Sequence, residues 1–295
     1  MGLATAPTAA LTALAPTVWG STYLVTTELL PPERPLLATT VRALPGGLFL
    51  VALGRRLPVG TWWWRAPVLG VLNIGAFNFL LFVAAYRLPG GIAAVIMSAQ
   101  PVFVVVLAAV FLGERVRGLH ALAGATGAGG VALLVFRGPA SPDAVGVLAA
   151  LGGALCMASG ITLTKRWGRP EGVGLLTLTG WQLTAGGLVL LPFWLALEDM
   201  PDGLTGSNVL GFAYLAGLGA VLSYLVWFRG IERLPATAVS FLALGSPVVA
   251  TLLGYLVKDQ TPSVLQLLGI GVVLLAVVLG QRPPRKKPDP SGEPR

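Results

Sequence analysis

Within its apolar stretches the chain carries a small set of polar and aromatic side chains whose types suit recognition rather than bond-making. Trp19 and Tyr23 lie four apart, hence on one face of a helix. Asn73 and Phe77 share a second face, with Asn78 beside them. Met97 and Gln100 precede Pro101, and Ser246 stands beside Pro247. Trp181 with Gln182, and Tyr224 with Trp227, add two further clusters. Uncharged amides, hydroxyls and aromatic rings suit a zwitterion with an apolar or aromatic side chain. A proline inside a helix removes a backbone donor and crowds the carbonyl four residues back. Met97 and Ala243 are therefore expected to offer free carbonyls to an ammonium group. The same side chains would serve equally as interhelical hydrogen bonds and ring packing, worth about 0.6–2 kcal/mol per contact. Residue by residue both uses stand; the set as a whole favours a cavity, shaped or hinged by Pro101 and Pro247.

Arg42 is the one charge well inside an apolar stretch. Such a charge costs about 2.5–3.5 kcal/mol at a bilayer midplane on insertion scales. It serves either as an anchor, reaching the headgroups or Glu28, or as a contact for a substrate carboxylate. No Asp or Glu falls in the middle of an apolar stretch, which argues against proton-coupled exchange of cations. A nucleotide sugar would call for several basic residues in the cavity. No GxxxxGK[ST] loop is present, so the chain does not hydrolyse ATP itself. A lone cysteine, Cys156, and a lone histidine, His120, exclude a disulfide framework and a histidine metal cluster, and no metal or cofactor is expected. Ser159-Gly160 would need His120 as its base, and that histidine falls at the foot of another helix, so an enzyme is not expected.

These residues need elements that lie in lipid. Of 295 residues 55% are hydrophobic and 11% charged, with mean hydropathy +0.80, where a soluble domain carries about 25% charged residues. The sequence divides into ten apolar segments, at about 10–30, 35–54, 66–86, 90–112, 118–136, 144–164, 173–197, 207–228, 236–257 and 263–281. Each approaches the ~20 residues that span a bilayer. An all-α membrane protein of ten transmembrane helices is predicted. Residues 1–9 contain no Lys or Arg, unlike the start of a cleaved signal peptide. With both termini in the cytoplasm, fifteen of the twenty basic residues fall inside and four outside, which accounts for the net charge of +8 without nucleic acid. Trp62-Trp63-Trp64, between Arg56 and Arg65, reads as an aromatic belt. Glu114/Arg117 and Arg229/Glu232 have i, i+3 spacing and are expected as surface pairs. The Pro-rich, basic tail 282–295 is expected to be disordered and cytoplasmic.

The chain also repeats itself. Arg87-Leu88-Pro89 recurs as Arg233-Leu234-Pro235, and Pro101 as Pro247, at a shift of 146. Gly46-Gly47-Leu48 recurs as Gly186-Gly187-Leu188, and Asn78 aligns with Tyr224. Five helices per half is an odd number, so residues 1–140 and 141–281 are expected to form two repeats of inverted topology. Matched, interrupted helices in such halves point to a carrier with a site near the midplane that opens to either side in turn. The glycine-rich fifth and tenth helices, as in Gly124-Ala-Thr-Gly127-Ala-Gly129-Gly130, read as peripheral scaffold.

Trp19-Gly20-Ser21, the run from Pro101 to Leu112-Gly113-Glu114-Arg115 with Gly124, and its weaker copy from Pro247 to Val257-Lys258-Asp259 with Gly269 resemble the EamA-type branch of the drug/metabolite transporter superfamily. The second copy lacks the usual Gly-Glu. The resemblance implies a ten-helix bacterial inner-membrane protein that exports amino acids, aromatic and other neutral ones, or related small metabolites. Export or uniport of another class, a drug-like compound or nucleotide sugar, and a channel-like facilitator are the alternatives. The expected partners are a small-molecule substrate and the lipid bilayer; the sequence carries no sign of oligomeric state.

Overall fold

The computed structural model describes residues 6–88, 93, 96–114, 118–135, 143–258 and 263–280. The tail 282–295, Pro89, Arg117 and Asp259 lie outside the described residues, as do the side chains of Tyr23 and His120. The described residues form ten helical spans and no strand. They are α1 (Ala6–Gly20, resumed as Thr22–Leu29), α2 (Pro35–Gly54), α3 (Trp62–Arg87), α4 (Gln100–Leu112), α5 (Gly118–Val135), α6 (Ala144–Trp167), α7 (Leu175–Leu197), α8 (Gly206–Arg233), α9 (Ala236–Leu242, resumed as Gly245–Lys258) and α10 (Val264–Gly280). Five of these, α2, α3, α6, α7 and α8, are long and apolar enough to cross a membrane whole.

The centre of the bundle is the α2–α7 pair, where backbone meets backbone. A Cβ on Gly47 would lie 2.8 Å from the Leu183 carbonyl carbon, and one on Gly187 would lie 2.9 Å from Leu44 Cα. Only glycine permits that approach. Gly54 meets Thr177 and Gly180 meets Leu50, so the two helices run antiparallel. Neighbouring glycines extend the pattern: Gly46 faces Ala216 and Val221 of α8, while Gly186 faces Gly70 and Gly75 of α3. Around this seam α3 packs on α6, α1 on α8, and α4 on both α6 and the first part of α9. The glycine-rich α5 lies along α10, where Gly130 brings its backbone against Val273.

Several helices depart from regular geometry. Within α3, Val71–Gly75 is a π turn, and within α8, Gly217–Leu222 is another. Their first residues are 146 positions apart, the spacing that separates Arg87 from Arg233. A π turn holds one residue more than an α turn and is often found at functional sites. Near both repeated prolines the helix pauses: at Ser98–Ala99 before Pro101, and at Ala243–Leu244 before Pro247. The carbonyl expected to be free at Ala243 is not: it accepts from Ser246 N at 3.1 Å, and Ile96 O likewise accepts from Ala99 N at 3.1 Å. The chain answers the missing donor by tightening into i→i+3 turns.

One surface expectation also changes, while the Glu114/Arg117 pair falls outside the described residues. Glu232 pairs with Arg169, Nε to Oε1 3.5 Å, rather than with Arg229. The Glu114 carboxylate turns to the start of α9, where it accepts from Ala236 N at 3.1 Å and Thr237 Oγ1 at 3.2 Å. At the foot of α3, Arg65 lies 5.5–5.9 Å from the Trp62, Trp64 and Trp167 rings, and Trp63 and Trp64 are exposed. That arrangement fits an aromatic belt at a membrane surface.

Candidate functional site

A cavity of about 100 Å³ opens among α1, α2, α3, α4, α6, α8 and α9. Trp19, Arg42, Phe77, Asn78, Met97, Gln100, Trp227 and Ser246 line it, with Pro101 and Pro247 in the wall. These are most of the residues singled out in the sequence. Thr22, Leu81, Ser98, Met157, Ser240, Ala243 and Leu244 complete the lining. Arg42 is the one formal charge among the described residues that line it.

The aromatic side is built in layers. Trp19 meets the edge of Trp227 with ring centroids 5.1 Å apart, and Tyr224 lies behind, 5.3 Å from Trp19 and 5.5 Å from Phe228. Trp227 and Tyr224 are almost wholly buried. Tyr224 does not reach the cavity; its hydroxyl donates to the Asn73 carbonyl at 3.0 Å and accepts from Asn78 Nδ2 at 3.1 Å. Asn78 Nδ2 also donates to Ile74 O at 2.7 Å, so the amide is held from both sides.

Trp19 and Arg42 converge on one atom. Trp19 Nε1 and Arg42 Nη2 each donate to the Gly219 carbonyl at 3.0 Å. That carbonyl lies in the π turn of α8, where wider winding loosens the ordinary ladder and leaves oxygens for side chains. A buried guanidinium on a backbone oxygen explains how Arg42, 3% exposed, is tolerated in an apolar span.

Besides Tyr224, three of the singled-out residues lie elsewhere. Asn73 Nδ2 donates to Thr164 Oγ1 at 3.1 Å and to Gln182 Oε1 at 2.9 Å, tying α3 to α6 and α7 away from the cavity. Asn73 sits in the π turn, whose extra residue rotates it off the face that carries Phe77. Trp181 donates to the Arg56 carbonyl at 2.8 Å and packs near Trp62, at the end of the bundle. With Gln182 and Trp181 so engaged, α7 contributes nothing to the lining.

Four lining side chains end in buried polar atoms with no hydrogen-bond partner among the described residues: Thr22 Oγ1, Asn78 Oδ1, Gln100 Nε2 and Trp227 Nε1. Leaving such a group unsatisfied costs about 1–3 kcal/mol. Gln100 and Trp227 carry spare donors and Asn78 a spare acceptor, which a guest with both kinds of group would satisfy. Among the described residues there is no cluster of His, Cys, Asp or Glu fit for a metal ion.

The model of the EamA-like transporter family matches residues 7–136 and again 144–280. The chain belongs to the EamA-like transporter family. It is an integral membrane protein of ten transmembrane helices and a member of a family of transporters. Protein PecM of Dickeya dadantii is 45% identical over 90% of both chains. The uncharacterized inner membrane transporter YedA of Escherichia coli is 31% identical, over 89% of this chain and 86% of its own. A protein crystal structure superposes with TM-score 0.78 over 92% of this chain and 96% of that one, at 21% identity, a likeness of fold. This EamA chain carries its cavity between helices drawn from both matched stretches.

The sequence missed Thr22, Ser98 and Ser240 because a single hydroxyl in an apolar helix gives no pattern. Thr22 and Ser98 nonetheless lie next to the Trp19-Gly20-Ser21 and Gln100-Pro101 runs. Leu81 was legible after the fact, four residues beyond Phe77 on the same face.

Proposed function

We propose that this membrane transporter exports amino acids, aromatic and other neutral ones, or closely related small metabolites. The observation that carries the reading is that residues lining the cavity, beside Trp19 and Phe77, carry buried polar atoms without a partner among the described residues. A carboxylate takes the donors of Gln100 and Trp227 within reach of the Arg42 charge. An ammonium group donates to Asn78 Oδ1, and an apolar or aromatic side chain lies on the rings. Among the described residues no lining side chain is acidic, which disfavours a bare organic cation.

The transport cycle we infer is alternating access by two inverted repeats, residues 1–140 and 141–281. The antiparallel α2–α7 seam supports it, because helices at equivalent places in such repeats run in opposite senses. So does the reciprocity of its contacts, Gly47 on Leu183–Thr184 against Gly187 on Leu44, which is the pattern of a two-fold axis. We place both termini in the cytoplasm and the protein in a bacterial inner membrane, on the basic-residue bias and the inner-membrane location of the YedA relative.

The test is counterflow of a panel of labelled amino acids in liposomes holding the purified protein. Saturable exchange above empty liposomes is expected for phenylalanine-like and other neutral amino acids. Exchange of a nucleotide sugar or an organic cation in their place, or steady currents without saturation, overturns it.

A further inference from the structure

The loop between α8 and α9 is gripped by two oppositely charged side chains from other helices. At the end of α6, Lys165 Nζ donates to Ile231 O at 3.0 Å, Glu232 O at 3.1 Å and Leu234 O at 2.8 Å. An ammonium has three N–H groups, so these carbonyls at the close of α8 use them all. At the end of α4, the Glu114 carboxylate takes Ala236 N and Thr237 Oγ1 at the opening of α9. The cation thus sits on the negative end of one helix and the anion on the positive end of the next. Arg169 adds its ion pair to Glu232.

The grip lies one helical turn from the cavity. Ala236 to Ser240 are buried throughout, and Ser240 is already on the cavity wall. That first turn of α9 is therefore the plug between the cavity and the face on which the loop lies. It cannot leave α4 and α6 without surrendering the contacts of Glu114 and Lys165.

We propose that Glu114 and Lys165 are the latch of the gate on this face, closed here and released once in each transport cycle. The proposal rests on the carrier reading above but not on the substrate. Breaking the latch shifts the population of carriers towards the state open to this face, and away from the state open to the other.

The experiment uses the full chain in liposomes of known orientation, with Cys156→Ala and Ser240→Cys, and a membrane-impermeant maleimide added to one face at a time. Lys165→Met and Glu114→Gln should each raise the labelling rate from the α8–α9 face severalfold and lower it from the opposite face. Equal rates in parent and variants, or faster labelling from both faces, overturns the latch. A channel open at both ends would instead label from both faces in the parent, and a wrong substrate would leave the labelling pattern unchanged. Should Lys165→Met fail to give monodisperse protein, Glu114→Gln reads the same gate.

Discussion

Asn78 and Tyr224 stand 146 positions apart in the chain and meet across the bundle, the amide donating to the phenol oxygen at 3.1 Å. They are aligned positions of the sequence repeat, and the two-fold axis proposed above would bring such counterparts together. The pair also supports the cavity, because it fixes the lining residue Asn78, whose Oδ1 has no partner among the described residues.

Tyr224→Phe deletes a hydroxyl that holds both Asn78 and the Asn73 carbonyl. It should cost about 1–3 kcal/mol, the penalty for orphaned buried groups, seen as a lowered thermal midpoint in detergent. Combined with Asn78→Leu, the loss should be less than the sum of the two, since each change breaks the same bond.

Trp227→Phe keeps a ring against Trp19 but removes the indole N–H together with part of a fully buried ring system. That N–H has no partner among the described residues, so the loss in thermal midpoint should come from the vacated ring volume and not from a broken hydrogen bond. The KM for counterflow of a neutral amino acid should rise about two- to tenfold, the equivalent of a hydrogen bond of about 0.5–1.5 kcal/mol. An unchanged KM would remove this N–H from the site.

Arg42→Met is expected to separate the two uses of that residue. The Gly219 carbonyl keeps its bond from Trp19, so folding should survive. Counterflow of an amino acid should fall far more than that of the corresponding amine lacking the carboxylate. Equal losses for both would make Arg42 an anchor for the π turn alone.

Gly47→Leu and Gly187→Leu place branched side chains where backbones touch. Both should insert into the membrane yet give little monodisperse protein. Gly217→Ala, which meets nothing within 4 Å, should keep the parental yield. Size-exclusion profiles of the three variants decide this.

The helices were legible because lipid demands long apolar runs; the seam was not, since its recurring glycine doublets marked the repeat without showing that they face each other. Most of the cavity was legible too, since amides, indoles and prolines stand out against Val, Leu and Ala. The π turns were not: an i→i+5 ladder leaves no residue signature, and with it went the facing of Asn73. Trp181 and Trp19 are the same residue type in similar apolar surroundings. What separates them is depth, and Trp181 begins only six residues after Leu175, near the bundle end where Arg56 awaits it. The free carbonyl at Ala243 was misread because a helix can tighten locally instead of leaving an oxygen bare.

The contact of Gly47 and Gly187 with the opposing backbone has a mechanical meaning. Helices that touch through side chains can slide by exchanging rotamers, whereas two main chains in contact have no such slack. The α2–α7 pair is thereby an axle: it can turn with its neighbours but cannot shear. Any swing that uncovers the cavity falls to the elements hung around it, α1, α4, α6 and α9, and the distance each travels grows with its distance from that glycine line.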